Sequence, residues 1–222
     1  MNALKPFVVS VLGLFAALST LQAAQIVHYA IDVGKARTVS PQPATFASEY
    51  VKAGDLSPFC NGEPSTNPAI GRGPGFFFNF GFLGNLGFTP GMGENYFAFA
   101  LEIKKGYQID FNSFSFYYRA PNLNGKKVYW DVRSSADDYR NSLATVTTRV
   151  SGGSKGSPGE SGYNSGDLPI LPLKGISGQI TFRVYLYEEE EGTVTGGIGQ
   201  IGNISVTGTV SPVSTTGAGP KP

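Results

Sequence analysis

Apolar side chains recur at every second residue in one stretch of this chain after another, and that period restricts it to strands with one buried face. In ENYFAFALEI, Phe97, Phe99, Leu101 and Ile103 fall on one side, with Tyr96, Ala98, Ala100 and Glu102 on the other. KKVYWDVRS sets Val128, Trp130 and Val132 against Tyr129, Asp131 and Arg133. GQITFRVYLYE sets Ile180, Phe182, Val184 and Leu186 against Thr181, Arg183, Tyr185 and Tyr187. ATVTTRVS and NISVTGTV, rich in Thr and Val, read as two more strands, and IVHYAI reads as the first. In QIDFNSFSFYYR the parity slips, because Ile109 and Phe111 agree with each other while Phe114, Phe116 and Tyr118 lie one step out. A one-residue slip would turn the later half to the wrong face, so a bulge or corner is expected at Asn112 and Ser113. Six or more strands joined by turns rich in Gly, Pro, Asn and Ser, with no helical period outside the N-terminus, predict an all-β fold. The expected form is an antiparallel β-sandwich, of jelly-roll type.

The first 24 residues have the three parts of a secretory leader: one charge at Lys5, an apolar run from Phe7 to Leu18, and small residues at Ala23 and Ala24. The run is too short to span a bilayer, which takes roughly 20 residues. The expected organisation is a leader at 1–24, one sandwich domain at 25–211 and a disordered tail at 212–222, in a protein that is secreted or held at the cell surface. Removing Lys5 with the leader brings Lys plus Arg from 17 to 16, equal to Asp plus Glu. A neutral chain gives nucleic acid or an anionic membrane no electrostatic purchase, and no membrane insertion is expected after leader removal. Cys60 is the only cysteine, so no intramolecular disulfide forms. It reads as a small hydrophobe under a loop, or more sharply as an intermolecular bridge. Stability must then come from burial, which 16 Phe and 11 Tyr can supply.

Three segments stand apart from the alternation. GPGFFFNFGFLGNLGF, from Gly73 to Phe88, is interrupted by Gly and Asn and bracketed by prolines, which argues against a membrane helix. It is expected as a core wall with glycines at close backbone approaches, or else as an exposed apolar patch for self-association. Ser151–Asp167 has the composition of a flexible connection. No cofactor is expected; the Glu188–Glu191 run leaves room for a structural calcium, though acidic strand tips are more often simply solvated.

NYFAFALEIKKGYQIDFNSFSFYYRAP, VYWDVRSSADDYRNSLAT, ISGQITFRVYLYE and IGNISVTGTV, in that order, resemble the exported bacterial β-sandwich proteins of the PEP-CTERM type. Arg133, Ser134 and Ser135 match the Arg-Ser-Ser motif of that group, with Asp137 or Asp138 at its acidic position and Tyr139 at its aromatic one. The usual C-terminal sorting signal does not follow Val210, so the resemblance implies release or retention by a partner rather than anchoring. It implies a surface or matrix protein and no particular activity.

No catalytic or metal site is expected. His28 is the only histidine, in a strand near the N-terminus, where a Ser-His-Asp arrangement or a histidine-rich metal site would have to use it. A half-buried strand histidine is the plainer reading. Glu102, Asp131, Asp137 and Asp138 could pair as in a glycoside hydrolase, yet nothing marks two of them as tuned. GRGPG lacks the Lys-Ser/Thr ending of a phosphate loop. Binding has more behind it. If Phe114, Phe116, Trp130, Phe182 and Val184 face the core, then Tyr117, Arg119, Tyr129, Asp131, Arg133, Arg183, Tyr185 and Tyr187 take the other side and are candidates to line one sheet. Flat rings beside Arg and Asp suit a sugar, whose C–H face the rings cover while the charged groups bond its hydroxyls. Tyr, Thr and Arg also suit the wet face of any antiparallel sheet with no ligand at all. Three functions follow: a non-catalytic module for carbohydrate or extracellular matrix, a structural surface protein that self-assembles, and, distantly, a hydrolase.

Overall fold

A computed structural model describes residues 23–30, 41–60, 62–64, 78–85, 95–119, 127–149, 163–188 and 195–214. The leader up to residue 22, Phe76 and Phe77, Glu189 to Glu191 and residues 215–222 lie outside these. Eight strands form the body: β1 (Ala24–Tyr29), β7 (Tyr96–Ile103), β8 (Tyr107–Arg119), β9 (Lys127–Ser134), β10 (Ala144–Arg149), β12 (Leu168–Ile176), β13 (Gln179–Glu188) and β14 (Thr195–Pro212). Six short or peripheral strands extend it: β2 (Phe46–Ala47), β3 (Val51–Ala53), β4 (Ser57–Cys60), β5 (Glu63–Pro64), β6 (Phe78–Asn85) and β11 (Tyr163–Asn164).

The pairing of the eight runs from the outside in. β1 pairs with β14, β7 with β13, β8 with β12 and β9 with β10, all antiparallel, as in one long ribbon doubled back on itself. Two further pairings, β14 with β8 and β13 with β9, roll that ribbon into two sheets. The first has the order β1-β14-β8-β12 and the second β7-β13-β9-β10. This is the jelly roll that the alternation predicts. β2, β6 and β11 add to the first sheet, while β3, β4 and β5 add to the second.

The inward residues are those the period of two selects. Phe97, Phe99, Leu101 and Ile103 of β7, Val128, Trp130 and Val132 of β9, and Ile180, Phe182, Val184 and Leu186 of β13 are all buried against Ile26, Val27, Ile204 and Val206 of the first sheet. Phe182 lies 5.5 Å from Phe99, its neighbour in the same sheet, and across the sandwich it lies 5.3 Å from Phe111, edge-on. Burying such rings contributes about 1.5 to 3 kcal/mol each. That is how a chain without disulfides can hold two sheets together.

The parity slip in β8 is a bulge at the expected place. Ser113 pairs with Thr207 and Phe111 with Gly208, which leaves Asn112 as the extra residue. Ile109, Phe111, Phe114, Phe116 and Tyr118 are consequently all buried despite their change of parity. Gly208 lets the strands approach here, since a Cβ at that position would sit 2.8 Å from the Asp110 carbonyl oxygen.

β12 was not legible in the sequence because LPILPLKGI carries two prolines. Among the described residues it pairs on one side only, with β8, and its register is irregular between Pro169 and Leu173. An edge strand tolerates the missing N–H groups that a central strand would not. The segment Ser151–Asp167, expected as a flexible connection, includes the two-residue strand β11. β6 gives the phenylalanine-rich segment a place beside β14, while the burial of its side chains lies outside the described residues. β14 runs through Pro212, and the Val213 amide donates to the Gly106 carbonyl. Among the described residues no helix is long and apolar enough to cross a membrane.

Candidate functional site

The candidate residues divide between two surfaces. Tyr117 and Arg119 belong to β8 in the first sheet, so the expectation that all eight line one sheet does not hold. Alternation tells which side of its own strand a residue takes, and it is silent on which sheet that strand joins. The other six are brought together on the outer face of the second sheet. There Tyr187 stands opposite Tyr129, Tyr185 opposite both Asp131 and Tyr96, and Arg183 opposite both Arg133 and Ala98.

Two arginines directly opposite on one face would repel. The structure separates their roles. Arg133, buried, turns toward Asp131, donating from Nε to a carboxylate oxygen at 2.6 Å and from Nη1 to the carbonyls of Tyr139 and Arg140 at 2.8 Å each. The second Asp131 oxygen accepts from the hydroxyls of Ser142 and of Thr145, the latter at 2.9 Å. Arg183 instead lies over two rings, 3.8 Å from the Tyr139 centroid and 4.5 Å from that of Tyr96, and donates to the Tyr185 hydroxyl at 3.0 Å. Desolvation raises the Tyr96 phenol above its ordinary value, against the opposing charge of Arg183.

The Arg-Ser-Ser segment is the device that makes this arrangement. After β9 the chain enters a single 3-10 turn, Ser135–Asp137, then places Asp138 and Tyr139 at φ 60° and 59°. Left-handed backbone at two successive non-glycine residues is strained and persists only where its surroundings impose it. Here it directs two carbonyls at Arg133 and brings the Tyr139 ring onto Arg183. Asp137 accepts from both the backbone and the side-chain amide of Asn141, tying the return toward β10.

The face is therefore more closed than free aromatic and charged side chains would make it. Asp131 is fully buried, Tyr185 and Tyr187 are buried, and only Tyr129 and Arg183 of the six remain half-exposed. Beside them Phe59 stacks on Tyr96 at 4.8 Å and Tyr96 meets Tyr185 at 5.1 Å, forming a small apolar cluster of its own. Tyr129 and Tyr187 stack at 4.9 Å with planes 9° apart, next to the exposed Thr147 opposite Tyr129. Sequence reasoning missed Phe59, Ser142 and Thr145 as parts of this site. Each comes from a neighbouring strand or loop and carries no local signal.

Of the carboxylates considered for hydrolysis, Asp131, Asp137 and Asp138 each have a structural contact among the described residues. Asp131 has its oxygens engaged and no exposure, and Asp138 makes only a loose exposed pair with Arg140 at 3.8 Å. His28 is half-buried in β1, as a strand histidine is expected to be, with Nδ1 unpartnered among the described residues. Among those residues no group of three or more His, Cys, Asp or Glu is placed to hold a metal ion.

No protein-family model and no curated protein matches the chain. Two solved structures are similar to it in part. One is the K3 cleaved adhesin domain of Lys-gingipain from Porphyromonas gingivalis w83, with a TM-score of 0.41 and 10% identity, covering 83% of this chain and 99% of that one. The other is a mutant of the family 29 carbohydrate-binding module CBM29-2, with a TM-score of 0.27 and 15% identity, covering 71% of this chain and 91% of that one. Scores this low lend neither protein's role to this chain.

Proposed function

We propose that this chain is an exported, non-catalytic binding module that takes carbohydrate on the outer face of its second sheet, at the Tyr129–Tyr187 corner. The observation that carries the reading is the parallel stack of those two rings, held 4.9 Å apart on adjacent strands beside the Thr147 and Thr145 hydroxyls. Rings fixed in advance lose little entropy on binding, and tyrosine offers a broad apolar face with a polar tip. The Asp131–Arg133 pair and the Arg183 stack then serve as the rigid support beneath, rather than as ligand contacts. A leader at 1–24 delivers the sandwich at 25–211 outside the cell, in keeping with the resemblance to exported PEP-CTERM-type proteins.

The test is a glycan array and an insoluble-polysaccharide pull-down with the full chain and with Tyr129→Ala, calcium present or chelated. Binding that drops at least tenfold in Tyr129→Ala, while the variant keeps its unfolding midpoint, is the expected result. Binding unchanged in that variant would remove the tyrosine corner from the site. No binding to any glycan would leave self-assembly, read from the sedimentation of the same sample, as the function to pursue.

A further inference from the structure

The outer face of the first sheet is built differently. Its outward residues on β8 and β14 pair as polar rungs: Gln108 with Ser211 at 3.3 Å, Asp110 opposite Thr209, and Ser113 with Thr207 at 2.7 Å. Between the second and third rungs the bulge at Asn112 interrupts the ladder. On the other side of β8, the β12 register breaks between Pro169 and Leu173. The two irregularities coincide and open a groove of about 440 Å³. That volume falls within the roughly 300 to 1,000 Å³ of small-molecule sites.

The lining has two parts. The exposed Pro169 supplies the apolar surface, Phe111 and Ile170 turning their side chains to the core, and Asp110, Asn112, Lys174 and Thr209 supply the polar groups. One oxygen of Asp110 is fixed by the Gly175 amide at 2.7 Å, which orients the carboxylate. No described residue bonds to the side chains of Asn112, Lys174 or Thr209, so donors and acceptors of both kinds stand open around Pro169. One carboxylate and one ammonium cancel. An anion would meet Asp110 and a cation would meet Lys174, each among groups already solvated.

We propose that this groove binds a single neutral sugar residue, its C–H face on Pro169 and its hydroxyls on Asp110, Asn112, Thr209 and Lys174. A ligand with hydroxyls around an apolar ring matches both parts of the lining, and no net charge is asked of it. The groove lies on the sheet opposite the tyrosine corner and does not depend on it. A chain carrying both sites would hold a polysaccharide at two points and gain avidity from weak contacts.

The test is amide chemical-shift mapping on the full isotope-labelled chain, titrated separately with glucose, galactose and mannose at millimolar concentrations. Sodium sulfate and glycine serve as charged probes. The proposal expects shifts confined to residues 110–112, 169–175 and 209 for at least one sugar. Asp110→Asn and the exposed Lys174→Ala should each weaken that sugar about three- to tenfold, as loss of one ordinary net hydrogen bond does. Tyr129→Ala should leave it unchanged, which separates this site from the tyrosine corner. Shifts with sulfate or glycine alone, loss of sugar binding in Tyr129→Ala, or no shifts with any of the three sugars would each overturn it. Lys174→Ala keeps the result decisive should Asp110→Asn disturb the fold.

Discussion

Arg133 is the residue on which the outer face of the second sheet depends. Its guanidinium bonds three acceptors in different directions, and its partner Asp131 has no exposure. Arg133→Ala strands a buried carboxylate, and breaking a buried pair in this way costs about 3 to 5 kcal/mol. The expected outcome is a fall in the urea midpoint consistent with that loss, while Arg133→Lys restores little, since an ammonium cannot reproduce the fork. Tyr29 supplies a second prediction at this scale. Its hydroxyl donates to the Gly54 carbonyl, and burial, then the charge of Asp55, raise its pKa above the ordinary value of 10.0. A pKa raised in the folded state means that the stabilisation is complete below pH 10 and is lost as pH climbs toward the folded value. Wild type should lose stability above about pH 10 more steeply than Tyr29→Phe, by up to about 1.4 kcal/mol per pH unit. Equal alkaline slopes in the two proteins would count against it.

Among the elements, β8 shows how a strand absorbs one extra residue. Asn112 is the extra residue, and the bulge that absorbs it keeps Ile109 and Phe111 inward together with Phe114, Phe116 and Tyr118. Deleting Asn112 would leave Ile109, Phe111, Phe114, Phe116 and Tyr118 in strict alternation, opposite an unbroken run of β14 residues at Gly208 and Thr207. The deletion is expected to keep a dispersed amide NMR spectrum, and loss of dispersion would show that the core depends on the local twist of the bulge. The slip was visible in the sequence because five large apolar residues marked it. β12 was not visible, since its two prolines mimic a turn and only its position at a sheet edge admits them. The turn after β9 was visible as a motif but not as a clasp. Its work is done by backbone carbonyls, and no side chain announces those.

For the whole molecule, one core joins the two sheets and Trp130 stands within it with no exposure. As the only tryptophan it reports on the interior of the sandwich. Its fluorescence and the far-ultraviolet circular dichroism should follow a single coincident urea transition, as expected when neither sheet is stable alone. Separate midpoints would mean that the sheets unfold in turn. The sequence by itself determined the class of fold, because a period of two can be satisfied only by strands, and the inward set of those strands names the core. It determined the bulge for the same reason. Which strands share a sheet was decided by the rolling of the ribbon, which brings residues far apart in the chain into one row. Only that step parted Tyr117 and Arg119 from the other candidates and buried Tyr185 and Asp131. It also opened a groove beside Asn112, where two irregular strands happen to meet.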